Sequence, residues 1–202
     1  TCTLLYNISV VPFFVLYMRI HMSISTEKMI DSQDIFKGHV LHLTLDTVRI
    51  NDTDQTSTRE VVRHKGACAI LPITPEGKII LVRQYRYAPD EVLLEIPAGK
   101  IDSKEENPLH CAARELEEEA GVTGELIPLG HVYTSPGFSD ECLYLYAARN
   151  LKKGTQHLDE DEFMNIEYYT PEEVEKMIDN NEIVDSKTIA CFFKARKYML
   201  GK

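Results

Sequence analysis

The chain has 202 residues, of which 44% are hydrophobic and 27% charged, and its formal net charge at pH 7 is −10. This length and composition are typical of one globular catalytic domain with a modest extension. The acidic balance argues against non-specific nucleic-acid binding, which needs concentrated basic surface, so we expect no nucleic-acid partner. The five cysteines are scattered, without disulfide or metal-ligand spacing, which indicates cytoplasmic thiols.

The first 28 residues differ from the rest of the chain. Residues 4–18 are strongly apolar, but they include Asn7 and Pro12 and are too short for a comfortable membrane span. Met22 and Met29 are candidate start sites. We expect residues 1–28 to be an upstream leader outside the fold, with a signal or anchor segment as the alternative, and we expect no membrane partner.

The next segments predict strands. Leucines alternate with polar residues between His39 and Ile50, which is the period of a half-buried strand. Residues 51–58 form a polar turn. Further strands are predicted over residues 59–73, 78–85, 126–133, 141–149 and 163–169. Two helices follow, one capped by Thr170 and running through Ile178, and one from Ser186 to about Leu200.

One further helix is predicted at the centre of the chain, with Asn107 as its cap and Pro108 as its first residue. Its apolar residues fall three and four apart and are expected to face the core: Leu109, Ala112, Ala113, Leu116 and Ala120.

Three glutamates of this helix, Glu115, Glu118 and Glu119, also lie three and four residues apart, so that like charges converge on another face. Such carboxylates suit Mg²⁺, which prefers oxygen ligands and also takes phosphate oxygens from a substrate. The implied substrate is a phosphate ester or anhydride. The alternative is a solvated acidic helix face, which is the usual explanation of a glutamate run.

The surrounding sequence favours the metal site. The segment Arg114–Val122 reads RELEEEAGV and resembles the second half of the Nudix box, with every fixed position matched. Upstream the spacing from Gly99 to Arg114 is one residue longer than the family pattern. We interpret this as a lengthened loop with Glu106 in the family position and Glu105 as the alternative.

The resemblance covers about residues 60–202 and implies an α/β (α+β) Nudix fold, in which a mixed β-sheet lies between helices. The segment EIPAGK at 95–100 is similar to the entry to the box in the ADP-ribose pyrophosphatase branch. In that branch a small N-terminal antiparallel sheet builds a homodimer. Residues 29–59 would be that sheet, and residues 60–202 would be the hydrolase domain.

The resemblance also implies the metal ligands and the catalytic groups. The carbonyl of Ala98 would bind metal beside Glu115 and Glu119, with Glu118 holding a further ion or its waters and acting in catalysis. In the acidic run 159–162, Glu160 would be the general base and Glu162 a further metal ligand, although this run also suits a solvated acidic turn. The metal would be Mg²⁺, with Mn²⁺ as an alternative.

Substrate contacts are implied on several segments. Arg86 ends a predicted strand, and its guanidinium suits a diphosphate. The full set implied by the resemblance is Arg59, Glu60, Arg86, Glu95, Lys100, Ser135 and Glu141.

The predicted function is Mg²⁺-dependent hydrolysis of ADP-ribose, or of a related nucleoside diphosphate sugar, to AMP and ribose 5-phosphate. One alternative is a Nudix hydrolase of nucleoside triphosphates or other dinucleotides. Another is a non-catalytic nucleotide-sensing module, whose usual sign would be loss of the box carboxylates, and these are all present.

Overall fold

A computed structural model of the chain describes residues 25–103, 105–158 and 163–199. The leader up to residue 24 and the predicted site residues Glu160 and Glu162 therefore lie outside the described residues. The strands are β1 (Glu27–Lys37), β2 (His42–Ile50), β3 (Thr56–Arg63), β4 (Ala67–Pro72), β5 (Ile79–Arg86), β6 (Glu91–Glu95), β7 (Ala98–Lys100), β8 (Val122–Tyr133), β9 (Cys142–Lys153) and β10 (Met164–Tyr169). The helices are α1 (Pro108–Ala120), α2 (Pro171–Asp179) and α3 (Ser186–Met199).

The core is built around a mixed sheet of order β7-β4-β9-β8, in which β4 and β9 are parallel and the other pairs antiparallel. Side chains alternate across a strand. Accordingly, Cys68 and Ile70 of β4 pack in the cluster that includes α1, whereas Ala69 and Leu71 pack in the cluster that includes α2 and α3. The expected mixed sheet between helices is confirmed. A second sheet of order β10-β5-β6 contributes to both clusters through β5.

Helix α1 begins and ends where its sequence predicts. The Asn107 side chain accepts a hydrogen bond from the Leu109 amide at 2.9 Å, and Gly121 ends the helix with φ 64°, a left-handed conformation that glycine adopts without strain.

The predicted core face of α1 is partly wrong. Ala112, Leu116 and Ala120 are buried, but Leu109 is 41% exposed and Ala113 is also exposed. The helix is rotated relative to the prediction, so that its buried face also includes Cys111, Glu115 and Glu119, which lie four residues apart. Helical geometry places residues four apart in one row, so the buried row of α1 carries carboxylates into the interior.

The N-terminal residues form a separate antiparallel sheet of order β1-β2-β3. The strand predicted between His39 and Ile50 is confirmed as β2. Strand β1 is exposed along its whole length, so no buried face produces an alternating pattern in its sequence. The predicted strand over residues 59–73 is divided into β3 and β4 by Gly66, whose φ of 101° interrupts the extended backbone.

Across residues 25–103, 105–158 and 163–199, the structure contains no helix with both the length and the apolar character that a membrane crossing requires.

Candidate active site

A cleft of about 720 Å³ lies beside α1, β7 and the first turn of α3. It contains eight of the residues that the sequence singles out. They are Arg86, Ala98, Lys100, Glu115, Glu118, Glu119, Ser135 and Glu141. These residues come from segments up to 55 positions apart in the chain (141 − 86), so the fold brings together what the sequence presents separately.

Two glutamates of α1 press against the backbone of β7. Glu119 is 4% exposed, and its Oε2 accepts a hydrogen bond from the Ala98 amide at 2.8 Å. Glu115 is 8% exposed, and a Cβ placed on Gly99 would come within 2.1 Å of its carboxylate. A residue larger than glycine at 99 would therefore collide with Glu115. The carboxylates of Glu115 and Glu119 therefore lie directly against the backbone of β7, in the same wall of the cleft as Ala98.

Arg114 lies between the carboxylates of its own helix. Its Nη1 is 2.7 Å from Glu115 Oε1 and 2.9 Å from Glu118 Oε2. Partial burial alone would lower the pKa of Arg114, but the charges of Glu115 and Glu118 outweigh it and raise the pKa above its ordinary value. Arg114 therefore stays charged and offsets part of the repulsion between the glutamates.

The structure also tests whether side chains alone could hold an ion. In the described parts of the chain, no three histidine, cysteine, aspartate or glutamate side chains come together as a metal site. Any ion in the cleft would need other oxygens besides, and the backbone at Ala98 lies at the same wall. The available donors are carboxylate and carbonyl oxygens, which suit a hard cation such as Mg²⁺ or Mn²⁺.

A second charged group lies at the same cleft, where Arg86 is one of the lining residues. Glu95, at the end of β6, is 1% exposed and accepts two hydrogen bonds of 2.8 Å, from Nε and Nη2 of Arg86. Lys187 donates a further hydrogen bond to Glu95 Oε2. Burial would raise the pKa of Glu95, but its bond from Arg86 and the charge of Lys187 hold the pKa below its ordinary value. The same hydrogen bond to Glu95 raises the pKa of Arg86.

Sequence reasoning missed Lys187 and Asp185. Asp185 precedes α3, and its Oδ2 accepts hydrogen bonds from the amide of Thr188 at 3.0 Å and from its Oγ1 at 2.5 Å. The capping of α3 could have been read from this Asp-Ser-Lys-Thr run. The contact of Lys187 with Glu95 could not, because the two residues are 92 positions apart.

The far wall of the cleft comes from the loop between β8 and β9. Thr134 Oγ1 donates to Glu141 Oε2 at 2.6 Å, and Ser135 O accepts from the Ser139 amide at 2.9 Å. Asp140 in the same loop accepts a 2.7 Å hydrogen bond from the His64 amide. The loop that carries Ser135 and Glu141 is thus fastened to the segment after β3.

Three of the implied substrate contacts do not line this cleft. One is Glu95, which is buried in its hydrogen bonds with Arg86. The other two are Arg59 and Glu60. Arg59, on β3, donates from Nε to Glu27 Oε2 at 2.9 Å and from Nη1 to Ser57 Oγ at 2.9 Å. Glu60 is its exposed neighbour, and neither residue lines the cleft. Within one copy of the chain, both residues belong to the N-terminal sheet instead.

The lengthened loop of the box turns Glu106 inward. Glu106 Oε2 accepts a hydrogen bond from the Asp102 amide at 2.7 Å, and its Oε1 lies 3.8 Å from Arg114 Nη2. Glu105 is exposed. Glu106 thus lies next to Arg114, and its assignment to the family position stays a prediction.

The predicted base Glu160 and ligand Glu162 lie outside the described residues. The chain that leads toward them is described as far as residue 158. His157 lines the cleft, and its amide donates to the carbonyl of Glu118 at 3.0 Å. The described chain therefore reaches α1 three positions before Glu160.

Comparison with known proteins connects this site to a family. Residues 62–190 match the family described as NUDIX domain. The chain is 42% identical over 165 residues to the ADP-ribose pyrophosphatase of Bacillus subtilis (strain 168), covering 80% of this chain and 88% of that protein. It is 45% identical over 166 residues to the methanol dehydrogenase activator of Bacillus methanolicus, covering 81% and 89%.

Two further matches agree with this result. The ADP-ribose pyrophosphatase of Mycobacterium tuberculosis (strain ATCC 25618 / H37Rv) is 37% identical over 165 residues, covering 80% of this chain and 79% of that protein. The solved structure described as "Crystal structure of ADP compounds hydrolase" aligns with a TM-score of 0.73 at 16% identity, covering 86% of this chain and 94% of that chain, and so shares the fold. The matched box residues, the fold and these similarities show that the chain belongs to the Nudix family.

Proposed function

We propose that this protein hydrolyses the diphosphate bond of ADP-ribose, or of a closely related nucleoside diphosphate sugar, to AMP and ribose 5-phosphate. The observation that carries the proposal is that one cleft is lined both by the box carboxylates and by Arg86, which Glu95 holds. The acidic oxygens suit a cation, and the guanidinium suits a phosphate. The names of two similar proteins, which are 42% and 37% identical, support ADP-ribose as the substrate.

The proposed cofactor is Mg²⁺, with Mn²⁺ as an alternative. Ala98, Glu115, Glu118 and Glu119 would hold it, together with Glu162 from the part of the chain outside the described residues. The fit rests on the donor set, which consists of carboxylates and a backbone carbonyl, and on the close approach of Glu115 to Gly99. When bound, such a cation neutralises charge on the diphosphate and lowers the pKa of a coordinated water.

The chain's own residues would then divide the work. Arg86 would bind the diphosphate, since three of its five N–H groups remain after the two that Glu95 accepts. Glu160 would take a proton from the attacking water, and Glu118 of α1 would assist it. The Glu118 side chain is held by Arg114, whose Nη1 donates to Glu118 Oε2 at 2.9 Å. Lys100, Ser135 and Glu141 line the same cleft and would contact the rest of the substrate.

We also propose that the chain forms a homodimer through its N-terminal sheet. Large apolar side chains of β1 and of the turn after it stand exposed, and they are Met29, Ile30, Ile35, Phe36, Val40 and Leu41. Exposed apolar side chains concentrated in one short segment favour an interaction site. In such a dimer Arg59 and Glu60 would reach the substrate site of the partner copy, which would account for their distance from the cleft within one chain.

The function is tested by incubating the purified protein with Mg²⁺ and a panel of ADP-ribose, other nucleoside diphosphate sugars, diadenosine phosphates and nucleoside triphosphates, and identifying the products. We expect AMP and ribose 5-phosphate from ADP-ribose. Nucleoside monophosphate and pyrophosphate, formed only from triphosphates, would replace this proposal by the triphosphatase alternative. Tight binding of ADP-ribose without hydrolysis would indicate a sensing module.

A further inference from the structure

The first turn of α3 contributes a charged side chain to the cleft that the reaction proposed above does not yet use. Lys187 lies between Glu95, to which its Nζ donates, and Asp185, whose Oδ1 is 3.1 Å away. The Lys187 side chain is 15% exposed and lines the cleft beside Arg86. Burying an ammonium group costs desolvation free energy, which the interactions with its two carboxylate partners offset.

The backbone around Lys187 is fixed from two directions. Thr188, which is fully buried, accepts a hydrogen bond at Oγ1 from the Ile96 amide at 2.9 Å. The same hydroxyl donates to Asp185 at 2.5 Å. The first turn of α3 is therefore joined to the residue directly after Glu95, and Lys187 has little freedom to move relative to that carboxylate.

The charges of this group explain why a lysine is useful here. Glu95 is 1% exposed, so its negative charge needs a partner at all times. If Arg86 were the sole partner, a diphosphate in the cleft would compete with Glu95 for the same guanidinium. Because Lys187 also neutralises Glu95, Arg86 can keep its orientation on the carboxylate and still direct positive charge at the substrate.

We propose that Lys187 is a positioning residue that acts through Glu95, holding the carboxylate so that the Arg86 guanidinium faces the diphosphate. The inference rests on the proposed function, because it takes Arg86 as the diphosphate contact. Lys187 does not itself touch the substrate in this scheme. Its effect therefore depends on the presence of the Glu95 carboxylate, and a direct contact would not.

A double-mutant cycle separates these two roles. Lys187→Met should raise KM for ADP-ribose about ten-fold with a smaller change in kcat, as expected for loss of one charge-assisted hydrogen bond that supports binding. Lys187→Arg keeps the charge and should stay within about three-fold of the wild type. In a Glu95→Gln background, Lys187→Met should cause no further rise in KM.

Lys197→Gln, near the far end of α3 and exposed, is the matched control and should leave KM unchanged. Thermal unfolding of each variant identifies any loss of folded protein. A ten-fold rise in KM from Lys187→Met in both backgrounds would show direct substrate contact and overturn the inference, as would an unchanged KM in the single variant.

A binding measurement keeps this result separate from the fate of the proposed function. Calorimetric titration with α,β-methylene ADP-ribose and Mg²⁺ should show about ten-fold weaker binding to Lys187→Met than to the wild type. Binding that weakens in this way without any hydrolysis of ADP-ribose would leave the inference standing and reject the function. Normal hydrolysis with equal binding by both proteins would reject the role of Lys187 and keep the proposed function. A wild type that does not bind the analogue would reject both proposals.

Discussion

The Glu115 carboxylate occupies the space that a side chain at position 99 would need. A Cβ on Gly99 would lie 2.1 Å from both Cδ and Oε1 of Glu115, far inside any tolerated contact. Gly99 is thus selected by packing against a box glutamate and not by an unusual backbone angle. The Glu115 carboxylate can keep its present position against the Pro-Ala-Gly segment only when position 99 has no side chain.

Gly99→Ala should therefore damage the site more than the fold. The new methyl group must displace Glu115, and a displacement of about 1 Å in a catalytic group can cost about 100-fold in rate. We expect kcat/KM for ADP-ribose to fall by about that factor, with a higher Mg²⁺ concentration needed for half-maximal rate. Steady-state kinetics over a Mg²⁺ titration measure both.

A glycine substitution elsewhere supplies the control. Gly77, in the turn between β4 and β5, has φ 81° and open space around it, and it does not line the cleft. Gly77→Ala should cost about 1 kcal/mol of stability from backbone strain while leaving kcat/KM unchanged. A Gly99→Ala enzyme as active as Gly77→Ala would contradict the packing argument.

Changing Glu119 to glutamine should reduce activity far more than the same change at Glu117, a glutamate of the same helix that does not line the cleft. Glu119→Gln retains an oxygen for the Ala98 amide, which now lies 2.8 Å from the carboxylate, but loses the charge. We expect a normal unfolding temperature and a fall in kcat of about 100-fold or more, as for removal of an electrostatic catalytic group.

Glu117→Gln makes the same chemical change on the same helix, at a position outside the cleft lining. It should retain kcat within about two-fold of the wild type. Chelation of divalent ions should abolish the activity of the wild type and of Glu117→Gln alike, and added Mg²⁺ should restore it. Near-normal turnover by Glu119→Gln would remove Glu119 from the metal site.

Helix α1 and the cluster of its glutamates could be predicted from the sequence because their determinants are local. Asn107 caps α1 through the amide two residues ahead, and Gly121 ends it. The glutamates share a helix, so their spacing alone places them together. The same reasoning erred on Leu109, because the rotation of α1 against the sheet depends on residues far along the chain.

The other wall of the cleft could not be predicted in this way. The short strands β6 and β7 pair with β5 and β4, and such short segments carry too few residues for a periodic signal. Lys187 reaches Glu95 only because the first turn of α3 meets the end of β6, a relationship that spans 92 residues. Strand β1 carries no periodic signal because it buries no face, and only the family resemblance assigns residues 29–37 to the N-terminal sheet.

An ion pair away from the cleft gives a pH-dependent stability. Arg83 donates to Glu167 from Nε at 2.5 Å and from Nη2 at 2.9 Å, between β5 and β10. These hydrogen bonds are the main reason that the pKa of Glu167 lies below its ordinary value of 4.5. The stabilisation is therefore complete above pH 4.5 and is lost as the pH falls through the lower pKa of the folded state.

Glu167→Gln should reduce the free energy of unfolding by about 1 kcal/mol at pH 7, because the side chains of the pair are 38% and 27% exposed and water screens them. The difference from the wild type should shrink in acid below pH 4.5. Urea unfolding at several pH values measures it, with Glu76→Gln in an exposed turn as the control. A difference that stays constant from pH 7 to the acid limit would contradict the pKa argument.

The exposed apolar surface of β1 leads to a prediction about assembly. Phe36 is 57% exposed on this strand, and in the proposed dimer it would be covered by the second copy. Phe36→Glu would place a charge in that interface, which costs several kcal/mol when the charge has no partner. Sedimentation velocity should show the wild type as a dimer and Phe36→Glu as a monomer at the same concentration.

Tyr87→Glu is the matched control, since Tyr87 is 86% exposed but lies in the turn between β5 and β6, away from the N-terminal sheet. It should sediment like the wild type.

If Arg59 and Glu60 serve the partner's site, the Phe36→Glu monomer should also show a raised KM for ADP-ribose. Its unfolding temperature should stay close to that of a wild-type monomer obtained by dilution. A wild type that sediments as a monomer at every concentration would reject the dimer. A stable Phe36→Glu dimer would instead move the interface to a surface other than β1.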